Sequence, residues 1–224
     1  MFFRYALLNN VNLKHVQDFY DFSEINDGAR TGSDDKRIKN NIEMQVEQAN
    51  AAWKIIWDNY QKHEIPMWQM WVCNSTTALF VRYTEGMHYG WHCDSPMMAG
   101  GVRSDFSTTV FLNDPSEYEG GELVLQYGTE TIEVKLPAGW AFSYPTGTKH
   151  MVREVTSGVR DVAVFWSKSM FRCQEDRRVA TYNYEIKQEL IKLYPNAEDP
   201  DDDHYGITRG LDEQLHSMMR SKAY

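Results

Sequence analysis

Hydrophobic residues recur along the chain with two different periods, and the change of period marks its organisation. Between about residues 10 and 65 the spacing is helical, and it is clearest from 41 to 60. There the apolar residues follow alternating steps of four and three: Ile42, Val46, Ala49, Trp53, Ile56 and Tyr60. Such steps place side chains on one face of a helix. The pattern predicts a helix that packs on a sheet.

Between about residues 66 and 168 the pattern changes to short runs rich in Val, Phe, Tyr, Thr and Leu. Turn residues such as Gly120-Gly121 and Pro145-Thr146-Gly147 separate these runs, as is usual between strands. The predicted strands are Ala78–Tyr83, Phe106–Leu112, Glu122–Gln126, Thr131–Lys135, Trp140–Tyr144, Met151–Val155 and Val162–Trp166. Short strands without an intervening helical pattern indicate an antiparallel sandwich or barrel.

Helical composition returns after about residue 174. The candidate helices are Glu175–Tyr194 and Leu211–Lys222, which Pro195 and the acidic run at 198–203 separate. We therefore predict a mainly β domain with N-terminal helices over residues 1–170, and a helical C-terminal extension over residues 171–224. The polar stretch Asp27–Asn40 predicts a loop, which is either a solvated connector or a flap that closes over a site.

The composition narrows the class of protein. The chain of 224 residues carries a net charge of −9, which argues against nucleic-acid binding because phosphate contacts need a positive surface. Its three cysteines are widely spaced and fit neither a disulfide framework nor a zinc knuckle. No apolar run reaches the ~18 residues of a membrane span, and the first residues do not resemble a signal peptide. These features predict a cytoplasmic protein.

One short segment carries candidate chemistry. His92 and Asp94 are two residues apart, so on an extended segment both side chains project from the same face. His150 follows a later turn and is the best candidate for a third ligand. Two histidines and one carboxylate on one face of a metal ion suit Fe(II) with open positions, although Mn(II), Co(II) and Ni(II) also accept such ligands. Cys93, between the first two ligands, is predicted to be a packed thiol on the opposite face.

A wider motif connects these residues to a known family. It reads Tyr83-x-x-Gly86-x-x-Tyr89-x-x-His92-x-Asp94, followed by His150 and, ten residues later, Arg160. This arrangement resembles the prolyl 4-hydroxylase-like Fe(II)/2-oxoglutarate-dependent dioxygenases, and among them the PKHD-type hydroxylases. Further matching pieces are Lys39-Asn40-Asn41, Arg103-Ser104-Asp105, Gly120-Gly121-Glu122-Leu123 and Phe165-Trp166. The similarity extends from about residue 39 to 170.

The resemblance implies both a fold and a reaction. The fold is a double-stranded β-helix (jelly roll) with helices packed on one sheet. The reaction converts 2-oxoglutarate and O₂ to succinate and CO₂ while an unactivated C–H bond is hydroxylated. Fe(II) and 2-oxoglutarate are therefore expected, with ascorbate as a candidate reductant. The motifs leave the prime substrate open among a peptidyl proline, another amino acid, a siderophore-like metabolite and a sugar.

The resemblance also implies roles for further residues. Arg160 is expected to bind the distal carboxylate of 2-oxoglutarate, and Tyr83 to donate a hydrogen bond to the co-substrate or the substrate. Phe111 stands where some prolyl hydroxylases have a tyrosine that assists the arginine, so we expect Thr109 to assist instead. The predicted substrate pocket contains Arg103, Asp105, Trp166 and Tyr89. For Arg103 and Asp105, pairing with each other is an equal alternative.

Two other functions fit parts of this pattern. A jelly-roll module that binds a metal or a sugar without catalysis would keep the three ligands, but it has no need of Arg160. A nucleobase demethylase on the same scaffold is disfavoured by the acidic charge. The helical ends offer surfaces for a homodimer, which stays a prediction.

Overall fold

The computed structural model describes residues 1–19, 25–27, 38–44 and 46–222. The helices are α1 (Asn10–Gln17), α2 (Val46–Tyr60), α3 (Gln174–Leu193) and α4 (Tyr205–Lys222), with short helical turns at Ile65–Gln69, Ala99–Gly101 and Pro115–Glu117. The strands are β1 (Phe3–Ala6), β2 (Ile25–Asp27), β3 (Lys39–Asn40), β4 (Ile42–Met44), β5 (Val72–Ser75), β6 (Leu79–Tyr83), β7 (His88–His92), β8 (Met97–Met98), β9 (Val102–Arg103), β10 (Phe106–Phe111), β11 (Tyr118–Gly120), β12 (Leu123–Tyr127), β13 (Glu130–Val134), β14 (Trp140–Pro145), β15 (His150–Val152), β16 (Val155–Gly158) and β17 (Arg160–Ser169).

The chain divides into two compact units. Unit 1 contains residues 1–63 and 74–168, and unit 2 contains residues 64–73 and 169–224. The division into a domain over residues 1–170 and a helical extension over residues 171–224 stays a prediction.

Unit 1 is built on two antiparallel sheets. In the larger sheet the strands lie in the order β1, β14, β10, β17, β6, β4 and β2, and in the smaller sheet in the order β13, β12, β15, β7 and β3. Buried residues of both sheets form one core, for example Val81, Phe142 and Val162 from the larger sheet and Leu123 and Leu125 from the smaller. The sheets therefore pack face to face, as an antiparallel sandwich requires.

Helix α2 covers the outer face of the larger sheet. The rings of Trp53 and Tyr60 lie 4.8 and 4.9 Å from the ring of Phe165 on β17, and the hydroxyls of Tyr60 and Ser167 are hydrogen-bonded at 2.9 Å. Ile56 and Tyr60 are fully buried. The predicted packing of a helix on one sheet is thereby confirmed.

The predicted helix over residues 41–60 begins too early. The helix starts at Val46, whereas Ile42–Met44 forms β4, which pairs with β6. Ile42 fits the helical step of four, but its segment hydrogen-bonds to a neighbouring strand, and sheet pairing overrides the local pattern. The predicted loop Asp27–Asn40 lies outside the described residues except at its ends, where Asp27 and Lys39–Asn40 are in strands.

Unit 2 combines α3, α4 and the segment 64–73 around its own small core. Trp71, Phe171 and Ala180 are its buried centre, and the Trp71 indole N–H donates to Thr181 Oγ1 at 3.1 Å. The predicted helices Glu175–Tyr194 and Leu211–Lys222 correspond to α3 and to the C-terminal part of α4. Among the helices described, none combines the length and the apolar character that crossing a membrane requires.

Candidate active site

The two candidate histidine ligands face each other on neighbouring strands. His92 is the last residue of β7 and His150 the first of β15, and the two residues are direct partners in the ladder. Asp94 follows β7 by two residues. One possible ligand atom from each of the three residues can be chosen so that all lie within 4.8 Å of one another. The structure thus brings together the three side chains that the sequence singled out.

Backbone carbonyls fix the tautomer of both histidines. His92 Nδ1 lies 2.8 Å from Gly90 O, and His150 Nδ1 lies 2.9 Å from Thr148 O. Because a carbonyl oxygen only accepts, each Nδ1 carries the proton and donates it. The lone pair of each neutral ring is then on Nε2, and both Nε2 atoms face Asp94, at 3.5 Å from Oδ1 and 3.8 Å from Oδ2. This is the tautomer that metal binding through Nε2 requires.

Asp94 is held by two side chains that the ligand motif alone does not reveal. Its Oδ2 accepts a hydrogen bond from Ser107 Oγ at 2.7 Å and from the Trp166 indole Nε1 at 2.8 Å. Burial opposes ionisation, but interactions with His92, His150, Trp166 and Ser107 outweigh it and lower the pKa of the Asp94 carboxyl to about 2. With Oδ2 engaged by two donors, Oδ1 is the oxygen available to a metal.

We expect Trp166→Phe to weaken divalent-metal binding about 10- to 100-fold, which is the range for loss of a group that orients a ligand. The substitution removes the indole N–H donor to Asp94 and keeps an aromatic ring in the cleft. Titration with Mn(II), followed by the electron paramagnetic resonance of the free ion, measures the affinity.

Trp140→Phe is the matched control, because Trp140 lies at the partly exposed start of β14 and is not among the described residues that line the cleft. If both variants bind Mn(II) equally well, the indole N–H of Trp166 does not position Asp94.

Arg160 is a buried cation that lines the same cleft. It is 1% exposed, and its Nε and Nη1 have no hydrogen-bond partner among the described residues. Its guanidinium carbon lies 5.1 Å from the centre of the Tyr83 ring and 5.7 Å from that of Phe111. Aromatic rings alone do not compensate a buried charge. The unpaired donors are therefore suited to an anion that enters the cleft.

A glycine makes room for this arginine. A Cβ atom on Gly121 would lie 2.8 Å from Arg160 Cδ, and the residue has a φ of +67°. Both the close contact and the positive φ favour glycine at this position.

The cleft joins the three ligand candidates and Arg160. It has a volume of about 610 Å³ when the space at its opening to solvent is included. Besides those four side chains, its walls include Lys39, Asn41, Glu43, Tyr83, Tyr89, Thr109, Tyr144 and Trp166. The Tyr89 ring stacks on His92 with 3.6 Å between ring centres. Tyr83, Thr109, Tyr89 and Trp166 are thus in the cleft, although their roles stay predictions.

Other predicted residues lie elsewhere. Arg103 and Asp105 form a two-contact ion pair with distances of 3.0 and 2.8 Å, and neither is among the described residues that line the cleft. Cys93 is exposed, so the prediction of a packed thiol is wrong. Cys93 follows the last residue of β7, and its side chain faces solvent rather than a core.

Comparisons with known proteins agree with this geometry. The sequence model of the 2OG-Fe(II) oxygenase superfamily matches residues 78–168, a range that contains the three ligand candidates and Arg160. A PKHD-type hydroxylase from Hyphomonas neptunium is 36% identical over 77% of this chain and 79% of its own. One from Gluconacetobacter diazotrophicus is 32% identical over 96% of this chain and 95% of its own. Relatives with 48 to 50% identity are matched over only about half of their length, 46 to 47%.

A solved structure shares the fold. The crystal structure of a Pseudomonas putida prolyl-4-hydroxylase superposes with a TM-score of 0.53 at 16% sequence identity and covers 75% of this chain and 92% of that one. At this identity the likeness concerns the fold alone, and it confirms the predicted jelly roll of β-sheets with flanking helices.

Proposed function

The chain belongs to the 2OG-Fe(II) oxygenase superfamily and, within it, to the PKHD-type hydroxylases, and from this premise we propose that it hydroxylates an unactivated C–H bond at the cleft of unit 1. Fe(II) is held by His92, Asp94 and His150, and 2-oxoglutarate is the co-substrate. One oxygen atom of O₂ enters the product alcohol and the other enters succinate, with release of CO₂. The prime substrate is an amino-acid-like group, of which peptidyl proline is one candidate.

The observation that carries the proposal is a buried guanidinium in the same cleft as the three ligand candidates, with two nitrogens that have no hydrogen-bond partner among the described residues. Two imidazoles and a carboxylate leave open positions on an octahedral ion, but many binding proteins could offer such a set. The Nε and Nη1 donors of Arg160 have no acceptor in the part of the chain that the structure describes, and a planar guanidinium binds a carboxylate with two parallel hydrogen bonds. A dicarboxylate can fill the open positions of the metal with one end and accept hydrogen bonds from Arg160 with the other.

The side chains of the chain itself divide the remaining tasks. Bound Fe(II) supplies the activation of O₂. Arg160 orients the co-substrate by its distal carboxylate, while Tyr83 remains protonated because burial raises its pKa and can therefore donate a hydrogen bond. Ser107 and Trp166 keep the Asp94 carboxylate in place. The apolar walls formed by residues such as Val81 and Leu123 limit the access of water to the reacting atoms.

An anaerobic titration tests the proposal. The metal-free protein receives Fe(II) and then 2-oxoglutarate, and a visible charge-transfer band is expected only when both are present. A folded protein that gives no band would contradict the proposal and favour a jelly-roll module that binds a metal or a sugar without catalysis. Ascorbate as reductant and a homodimer stay predictions.

A further inference from the structure

A short polar wall borders the cleft where the chain passes from one sheet to the other. Lys39 on β3 pairs with Tyr89 of the smaller sheet, and Glu43 on β4 pairs with Val81 of the larger sheet. Asn41 lies between them. All three side chains line the cleft, and each residue is only 4% exposed. Lys39 and Glu43 form an ion pair, whereas the Oδ1 atom of Asn41 has no hydrogen-bond partner among the described residues, and a buried polar atom costs free energy until it is matched.

Asn41 has an unmatched acceptor beside the cleft. Its Nδ2 donates to Tyr83 Oη at 3.0 Å, whereas its buried Oδ1 receives no hydrogen bond from the described residues. At neutral pH 2-oxoglutarate carries two carboxylates and a ketone, which accept hydrogen bonds and donate none. The co-substrate therefore cannot satisfy this oxygen. Its complement is an N–H or O–H group of the second substrate.

The charges in the cleft indicate the net charge of that substrate. Among its described lining residues, the cations Lys39 and Arg160 balance the carboxylates Glu43 and Asp94. Fe(II) and the 2-oxoglutarate dianion also cancel each other. The loaded cleft is then neutral, and a molecule with net charge would be desolvated without compensation. A substrate that is neutral overall avoids this cost.

We propose, on the basis of the function proposed above, that the wall formed by Lys39, Asn41 and Glu43 binds the prime substrate and that this substrate is a free zwitterionic proteinogenic amino acid. The ammonium group donates to Asn41 Oδ1 and to the Glu43 carboxylate. The substrate carboxylate binds Lys39. At present Lys39 Nζ and Glu43 Oε1 are 2.9 Å apart, and the zwitterion replaces this contact with two. A proline within a peptide lacks the ammonium, and its ring nitrogen carries no hydrogen.

Calorimetry tests the proposal without turnover. Protein loaded with Mn(II) and 2-oxoglutarate is titrated with pools that together contain the twenty free L-amino acids, and the binding amino acid is then compared with its N-acetyl derivative. Saturable binding of a free amino acid is expected, with an affinity about 10- to 100-fold higher than that of the acetylated form, since hydrogen bonds to charged groups contribute about 1.5–3 kcal/mol. Absence of saturable binding in every pool would overturn the proposal, as would preference for a capped proline peptide.

Neighbouring asparagines provide matched variants. Asn41→Leu is expected to weaken amino-acid binding at least about 10-fold, because leucine offers the ammonium group no acceptor. Asn40→Leu makes the same change at the preceding residue. Asn40 pairs with His88 and is not among the described residues that line the cleft. The Asn40→Leu variant should therefore bind the amino acid as the unaltered protein does. Equal binding by the Asn40→Leu and Asn41→Leu variants would contradict the assignment.

The charge-transfer band separates this proposal from the one on which it rests. The band is recorded for each variant with Fe(II) and 2-oxoglutarate. It depends on binding of the metal and the co-substrate and does not depend on binding of the amino acid. A normal band without amino-acid binding rejects only the polar wall as the substrate site. Absence of the band in the unaltered protein rejects the proposed function itself.

Discussion

Asp94→Asn is expected to lower Fe(II) affinity and 2-oxoglutarate turnover by at least about 100-fold. This loss is larger than the roughly 10- to 100-fold loss of metal affinity that follows removal of a side chain that only orients a metal ligand. The asparagine removes the negative charge that the metal needs. Ser107 and Trp166 both donate hydrogen bonds to Oδ2, and an amide has only one oxygen that can accept them. If the amide oxygen accepts from them, the NH₂ group faces the metal, and it offers no ligand there. Succinate formation and Fe(II) titration measure the two effects.

The control for this variant is Asp114→Asn. Asp114 caps a short helical turn at Pro115–Glu117 by accepting from Ser116 N, and asparagine is an equally good cap. Its metal affinity and turnover should equal those of the unaltered protein. Full activity of the Asp94→Asn variant would show that Asp94 is not a metal ligand.

The second large effect is expected at Arg160. Arg160→Leu should raise the KM for 2-oxoglutarate at least about 30-fold, because loss of one partner in a buried charge pair costs about 2–5 kcal/mol. Fe(II) affinity in the absence of 2-oxoglutarate should remain unchanged, since Arg160 is not one of the candidate ligands. A raised KM together with an unchanged Fe(II) affinity would show that Arg160 acts on binding of the co-substrate rather than of the metal.

Arg82→Gln serves as its control. Arg82 stands on the neighbouring strand, and its side chain forms a two-contact ion pair with Asp161 at 2.8 and 2.7 Å. It is not among the described residues of the cleft. Glutamine retains a donor to Asp161, so the KM for 2-oxoglutarate should not change. An equal rise in KM for both variants would indicate a general disturbance of the sheet rather than a carboxylate site.

Strands of the sandwich could be predicted because their signals are local. The runs Ala78–Tyr83, Phe106–Leu112 and Trp140–Tyr144 differ from the observed strands by one residue at an end. The convergence of His92 with His150 was also predictable from a motif. By contrast, Met151–Val155 divides into the end of β15 and the start of β16, since a short break within an apolar run leaves no mark in the hydrophobic pattern.

Contacts between distant strands could not be read from the sequence. Ser107 and Trp166 are direct ladder partners on β10 and β17, and only that register places both donors against Asp94. The wall at Lys39, Asn41 and Glu43 lies at the edge of the region predicted to be helical. Its alternation of inward polar residues follows the period of a strand, but burial of charged residues is unusual, so this pattern normally indicates a solvated edge.

The carbonyl groups that hold the two histidine rings have a consequence for the identity of the metal in a cell. Gly90 O and Thr148 O orient the imidazoles through contacts two residues away in the sequence, so that both rings offer Nε2 to a metal ion. Two imidazoles and one carboxylate do not by themselves favour Fe(II), because affinities for divalent ions follow the Irving–Williams order, in which Fe(II) ranks below Co(II), Ni(II) and Cu(II). Mismetallation is thus governed by the supply of free ions, and activity after purification reflects the metal content of the growth medium as well as the amount of protein.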